Sequence, residues 1–175
     1  MPDYGHEVQR EIYQEARPPA VAQRLPISYE EWKLKAREIL PKGIFDYIAG
    51  GAGAEYTIRA NREAFYFWRI LPRMLVDVAK RDLSVNLFGY RYPTPVLLAT
   101  VDRQELYHSE GELATARAAA ATGVPFVLST FATRSIEEVA AVMGNAPRWF
   151  QLYFSSDRDV VASMIRRLRL LATWP

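Results

Sequence analysis

The stretch Arg148-Trp-Phe-Gln-Leu-Tyr-Phe154 carries the side chains best suited to chemistry. Read as a strand, it places Trp149, Gln151 and Tyr153 on one face and Phe150, Leu152 and Phe154 on the other. The second set is an aliphatic and aromatic ridge that suits packing under helices. A Gln and a Tyr on the first face fit two different surroundings. Either the strand is half exposed and they meet solvent, or that face looks into a cavity holding a polar ligand with an aromatic ring system. For such a ligand Gln offers both a donor and an acceptor, and Tyr a phenolic hydroxyl and a flat surface.

The elements around this stretch favour the second surrounding. Two earlier apolar runs, Pro95-Val-Leu-Leu-Ala-Thr100 and Val124-Pro-Phe-Val-Leu-Ser-Thr130, also close on small or polar residues. Each run is followed by a helical pattern. The first is Gly111–Ala121, with Ser109 and Glu112 as a possible capping box and Gly123 as terminator. The second has Ser135 and Glu138 as its box and Gly144 as its stop, and the third starts near Asp157 with Ser156 as N-cap. Strand and helix thus alternate in units of roughly 25–30 residues, the pattern of βα repeats on a parallel sheet, so the class is α/β. In βα proteins ligands gather at the carboxyl ends of the strands, where Thr100, Ser129, Gln151 and Tyr153 all fall.

Upstream the texture is helical. Residues 1–27 lack periodicity, are broken by Pro18, Pro19 and Pro26, and read as an extended arm. Ser28 and Glu31 form a capping box for a helix whose apolar side is Trp32, Ala36 and Ile39 and which Pro41 and Gly43 end. A short helix, Ile44–Ala49, stops at Gly50-Gly51-Ala52-Gly53, and a third runs from about Ala54 to Phe67. A phosphate cradle should follow a strand and open a helix; this glycine run follows a helix and reads as a stop and linker. Residues 82–92 alternate around Gly89 and predict a small β-ribbon. Tyr47, on an amphipathic helix, reads by itself as a core residue, Ser129 as a cap or loop hydroxyl, and His108 as a surface residue near a helix start.

Composition narrows the function classes. The chain has 175 residues, 50% hydrophobic and 13% aromatic, with a formal net charge of +2, which suits a globular chain with a real core and argues against nucleic acid. It has no cysteine, so neither a disulfide nor a thiolate metal site is available, and no His or carboxylate pattern points to a metal. The first residues are polar and of mixed charge, unlike a signal peptide, and no apolar run approaches the ~20 residues of a membrane span. The expectation is a soluble, cytoplasmic protein without a membrane partner.

Seven short motifs in order carry a family resemblance: Phe45-Asp46-Tyr47, Asn61 with Ala64-Phe65, Leu71-Pro-Arg-Met-Leu75, Asp82-Leu-Ser84, Gly111-Glu-Leu-Ala114, Ser135-Ile-Glu-Glu-Val139 and Phe150-Gln-Leu-Tyr153. Over about residues 10–167 the chain resembles the N-terminal portion of the FMN-dependent L-2-hydroxy acid oxidoreductases, which include glycolate oxidase, lactate oxidase and lactate 2-monooxygenase. Ile12-Tyr13, Leu25-Pro26, Ser28-Tyr29 and Tyr47-Ile-Ala-Gly-Gly51 lean towards the lactate 2-monooxygenase branch. The resemblance implies a (β/α)8 barrel preceded by capping helices, FMN as cofactor, a small 2-hydroxy acid substrate with O2 as acceptor, and a homo-oligomer. Tyr47 then resembles the tyrosine that binds the substrate carboxylate, and Tyr153 the tyrosine beside the substrate carbon, in a catalytic role. Gln151 resembles the residue on the flavin pyrimidine edge and Ser129 another flavin contact. The run Ala99, Thr100, Val101, Asp102 corresponds to the strand end that lies against the flavin.

That run departs from the family, which has Ala-Pro-x followed by Gly or Ala. A small residue allows close backbone approach to a ligand. Asp102 adds a side chain and a charge whose burial costs several kcal/mol unless it is paired, with Arg103 as the nearest candidate partner. The expected organisation is an arm, helical cap and ribbon over 1–92, the first three βα units of a TIM barrel over 93–167, and a tail over 168–175 outside the resemblance. A (β/α)8 barrel takes about 250 residues. The expectation is therefore an N-terminal fragment, inactive alone and holding FMN weakly or not at all. The alternative is a non-catalytic relic, or a subunit that needs a second chain to complete the barrel.

Overall fold

A computed structural model describes residues 26–171. The expectations for the arm before Pro26, with Ile12-Tyr13 and Leu25, and for the last four residues lie outside this range. The chain divides into two compact units, one ending at Glu55 and one beginning at Tyr56.

In the first unit Ser28 opens helix α1 (Tyr29–Ile39). Its hydroxyl accepts from the Glu31 amide at 3.2 Å, and the Glu31 carboxylate accepts from the Ser28 amide at 3.0 Å, so the capping box forms. Leu40 turns extended before Pro41, as the residue preceding a proline must. Helix α2 (Lys42–Ala49) starts two residues earlier than Ile44, because Pro41 at φ −54° is already set for a helix start. Gly43 therefore lies inside α2 and does not end α1. Gly50 stops α2, its amide donating to the Asp46 carbonyl at 3.0 Å; a Cβ there would stand 2.8 Å from the same oxygen.

In the second unit the single helix expected over 54–67 is shorter. Glu55 has φ +60°, which no α-helix continues through, so helix α3 spans Tyr56–Ala64 and passes into a 3₁₀ turn, Phe65–Phe67. The ribbon is a two-stranded hairpin, β1 (Val85–Leu87) against β2 (Tyr90–Tyr92). Phe88 and Gly89 both have positive φ, the combination a two-residue hairpin loop prefers. Helix α4 (Glu112–Thr122), strand β3 (Phe126–Ser129), helix α5 (Ile136–Met143), strand β4 (Arg148–Gln151) and helix α6 (Arg158–Leu171) follow. β3 and β4 are parallel, with Phe126 opposite Arg148 and Ser129 opposite Gln151.

The run Pro95–Thr100 is not a full strand. It touches β3 at one parallel bridge, Leu98 to Phe126, where Leu98 donates to Pro125 and accepts from Val127. Pro93 and Pro95 supply no amide hydrogens, which leaves a short edge segment. Likewise β4 ends at Gln151, not Phe154. Beyond Ser129 the neighbouring strand is gone, and the Thr130 hydroxyl takes its place: it donates to the Gln151 carbonyl at 2.5 Å and accepts from the Tyr153 amide at 2.9 Å.

Phe126 and Leu128 point from β3 into the core, where Ala116 and Ala119 of α4 and Val139 and Met143 of α5 meet them, with Leu98 and Phe150 packed alongside. The alanines let α4 come close to the sheet. Phe126 is buried almost completely; truncating it to Ala would cost about 3–5 kcal/mol. The opposite face of β4 carries Trp149, whose indole N–H donates to the Tyr92 hydroxyl at 3.2 Å and whose ring lies 5.3 Å from Phe88. The hairpin thus covers the amino end of that face. Ser135 and Glu138 cap α5 as expected, and Gly144 ends it at φ +54°. Two other caps differ. Gly111, not Ser109, precedes α4, and Asp157, not Ser156, caps α6 by accepting from the Asp159 and Val160 amides. α6 runs past Arg167 without a break, and Leu168 and Leu171 line an apolar gap against Leu128, Val139 and Phe150. The fold is α/β with strands and helices in βα order.

Candidate functional site at the carboxyl ends of the strands

Ser129 and Gln151 are register partners on neighbouring parallel strands, so their side chains share the face turned away from the helices. Phe126, Leu128 and Phe150 take the helix side. This is the juxtaposition the alternation of β4 predicts for Gln151. The Gln151 Oε1 atom is buried and accepts no hydrogen bond among the described residues. An amide oxygen withdrawn from water without a donor costs about 1–3 kcal/mol, so its position calls for a donor from outside the chain.

Ser129 is 2% exposed. Its hydroxyl donates to the Asp102 carboxylate and accepts from the Phe131 amide at 3.0 Å. Asp102 is half-buried and takes its partner from Ser129; Arg103, the expected partner, instead lies over the Phe131 ring at 5.9 Å. The reason is local backbone: Arg103 has φ +49°, and this left-handed residue swings its side chain away from Asp102 while its amide donates to the Phe131 carbonyl at 3.1 Å. Ala99 and Val101 are exposed and Thr100 is half-buried, so the strand end presents backbone and small side chains to solvent.

Tyr153 is 52% exposed and lies beyond the end of β4. Strand alternation does not place it; the Thr130 hydroxyl on its amide and the tilted Phe131 ring at 5.2 Å do. Tyr47 belongs to the first unit, on α2, and is 62% exposed, so it is not the core residue that helix amphipathicity suggests. His108 is exposed, its Nδ1 accepting from the Glu110 amide at 3.3 Å. Among the described residues no group of three or more His, Asp or Glu collects to hold a metal.

Glu112 does not act as the capping-box partner that its spacing from Ser109 suggests. It is 0% exposed and forms no box with Ser109. Its carboxylate accepts from the Gln104 amide at 3.1 Å, the Thr133 amide at 3.0 Å, the Thr133 hydroxyl at 2.6 Å and the Arg134 amide at 3.2 Å. Burial pushes this carboxyl up, but the Thr133 hydroxyl and the backbone amides outweigh it and hold the group below the usual range. A signal was present: Glu112, Ala116 and Ala119 are spaced i, i+4, i+7, which puts the carboxylate on the buried stripe of α4. Gly111 beside it has φ +52°, and a Cβ there would stand 2.7 Å from Glu105 Cγ.

The site fits the flavin the resemblance implies. A pyrimidine-like edge, with a ring N–H between carbonyls, would supply the donor that Gln151 Oε1 lacks and use the amide N–H₂ as well. The buried Ser129 and the small Ala99 would let such a ring lie close against the strand ends.

A family model described as FMN-dependent dehydrogenase matches residues 36–172. The chain is 44% identical over 142 residues to an L-lactate oxidase of Lysinibacillus sphaericus, a match covering 81% of this chain and 37% of the relative. It is 45% identical over 137 residues to glycolate oxidase 1 of Oryza sativa subsp. indica, covering 78% of this chain and 37% of that protein. Among solved structures, a putative lactate oxidase of Pediococcus acidilactici superposes with a TM-score of 0.76 at 41% identity, over 81% of this chain and 40% of its own. A mandelate oxidase with (S)-4-hydroxymandelic acid gives 0.76 and 41%, over 83% and 41%. The chain therefore spans 37% of the length of these two curated relatives.

Proposed function

Because the chain belongs to the FMN-dependent dehydrogenase family, we propose that it supplies part of the flavin site of an enzyme that oxidises a small L-2-hydroxy acid. The observation that carries this reading is the buried, donorless Gln151 oxygen beside Ser129 at the carboxyl ends of two parallel strands. Flavin, when bound, supplies the two-electron chemistry. The chain's residues bind and orient. Gln151 holds the pyrimidine edge, Ser129 and the backbone of Ala99–Asp102 form the wall against the ring, and Tyr153 is read as hydrogen-bonding a substrate oxygen. Tyr47, exposed on α2, is proposed on the resemblance alone to bind the substrate carboxylate.

Relatives named for lactate, glycolate and mandelate oxidation support the substrate class, a small 2-hydroxy acid, and support O2 as the acceptor. Within that class Ser28-Tyr29 and Tyr47–Gly51 favour the lactate 2-monooxygenase branch. The βα units over 93–167 are read as the first three of a (β/α)8 barrel, with the helical segments before residue 93 as its cap. A second reading has support of its own: the exposed run from Phe65 to Val78 favours a chain that works only against further polypeptide surface.

The test is a titration of the full chain with FMN, followed by flavin fluorescence and the visible spectrum. Weak binding with a shifted flavin spectrum is expected, and Gln151→Leu should weaken it roughly tenfold, the worth of one buried hydrogen bond. An unshifted spectrum at saturating protein, or a Gln151→Leu variant that binds as well as the parent, overturns the reading.

A further inference from the structure

We propose that Glu112 is a positioning residue: its carboxylate ties the loop after Leu98 to the loop after β3 and so sets the gap between the two loops that face the ligand. The proposal rests on the flavin reading above.

Three separate stretches of chain meet at this carboxylate. Oε1 accepts from the amides of Gln104 and Thr133, and Oε2 from the Thr133 hydroxyl and the Arg134 amide. Each oxygen takes two donors, which fills the four acceptor positions a carboxylate has. Gln104 opens the 3₁₀ turn Gln104–Leu106 that directly follows Asp102 and Arg103, and Thr133 and Arg134 belong to the loop that leaves Ser129. The tie continues through the Gln104 side chain, whose oxygen accepts from the Thr115 hydroxyl at 2.6 Å and whose amide donates to the Val101 carbonyl at 3.4 Å.

A carboxylate in the first turn of α4 gains about 0.3–1 kcal/mol from the helix dipole, less than its burial costs. The other fully buried positions on its inner stripe are Ala116 and Ala119, and burying a lone carboxylate among them costs several kcal/mol. What the carboxylate does supply is acceptors for three part-buried loop amides. The backbone is shaped to bring them there. Arg103 is left-handed, and Gly111 has no side chain where Glu105 Cγ and the Thr133 hydroxyl press against it. On the ligand side the same two loops are joined a second time, by Ser129 to Asp102 and by Arg103 to Phe131. Glu112 is the outer tie behind that inner one, so the strand-end wall is held in place before any ligand arrives.

The conservative substitution Glu112→Gln keeps the volume but leaves one acceptor oxygen and turns an N–H₂ group towards two donors. Hydrogen exchange of the ligand-free full chain reads the tie directly. In E112Q the amides of Gln104, Thr133 and Arg134 should exchange roughly tenfold faster or more, while Phe126–Leu128 stay unchanged. FMN affinity should fall by a similar factor. Thr133→Val, which removes a single donor, should give the same pattern at smaller size and serves if E112Q does not fold. Unchanged loop exchange, or faster exchange throughout the chain, overturns the tie. Faster loop exchange with unchanged FMN affinity overturns the positioning role. A parent chain that leaves the flavin spectrum unshifted shows instead that the flavin reading itself has failed, and the positioning role falls with it.

Discussion

At Asp102 one side chain decides how the strand end meets a ligand. Its half-buried carboxylate is held by the buried Ser129 hydroxyl, in the loop proposed to lie against a flavin ring. A residue without this side chain would let the ring approach the backbone and would free the Ser129 hydroxyl, while Glu112 and the bond from the Arg103 amide to Phe131 still join the two loops. Asp102→Ala should therefore raise FMN affinity, by roughly fivefold, or about 1 kcal/mol. Fluorescence titration of parent and variant under the same buffer checks this. Equal or weaker binding by the variant would mean that Asp102 is part of the ligand wall and not an obstacle in it.

At the level of elements, α5 and α6 are joined across their exposed sides by Glu137 and Arg167. The guanidinium donates twice to the carboxylate, at 2.7 and 2.6 Å. The Arg167 hydrogen bond brings the Glu137 pKa down to about 2 from 4.5, and the same bond raises that of Arg167. A depressed carboxyl contributes stability that is present above its unfolded pKa and is lost as pH falls through its folded one. Docking of α6 should accordingly weaken between about pH 4.5 and 2, and Glu137→Gln should flatten that limb of the stability curve. Thermal midpoints measured across this range decide it. Because the pair is exposed, salt should shrink the effect, and a profile insensitive to both the substitution and salt would assign the acid limb to another group.

On the scale of the whole molecule, the second unit has a small core and a long uncovered apolar stretch. Phe65, Phe67, Trp68, Ile70 and Leu71 are all largely exposed, in a segment with little regular structure, and β4 has an unpaired edge among the described residues. Surfaces of this kind associate. The isolated chain should form oligomers or aggregates at micromolar concentration, and replacing Phe67 and Leu71 together by Ser should move its elution towards the monomer. A sharp monomeric peak for the parent, with cooperative unfolding, would count against this. Among the described residues no helix is long and apolar enough to cross a membrane.

Local chemistry made much of this legible from sequence. The capping boxes at Ser28 and Ser135, the stops at Gly50 and Gly144, the hairpin at Gly89 and the alternation of Phe150 and Gln151 each depend on neighbours within a few residues, and each appears where the residues place it. The order of motifs pointed to the family in the same way. Tertiary structure decided what depends on partners distant in sequence. Thr130 ends β4 and moves Tyr153 off the strand face; Ser129, not Arg103, takes Asp102; and Glu112, a cap by its spacing, is a buried acceptor for loops 8 and 21 residues away. A hydrogen-bonding group carries no mark of which donor will reach it. That is settled only when strands align in register and bring their ends together, and here the pairing of Ser129 with Gln151 is what turns separate polar residues into a candidate site.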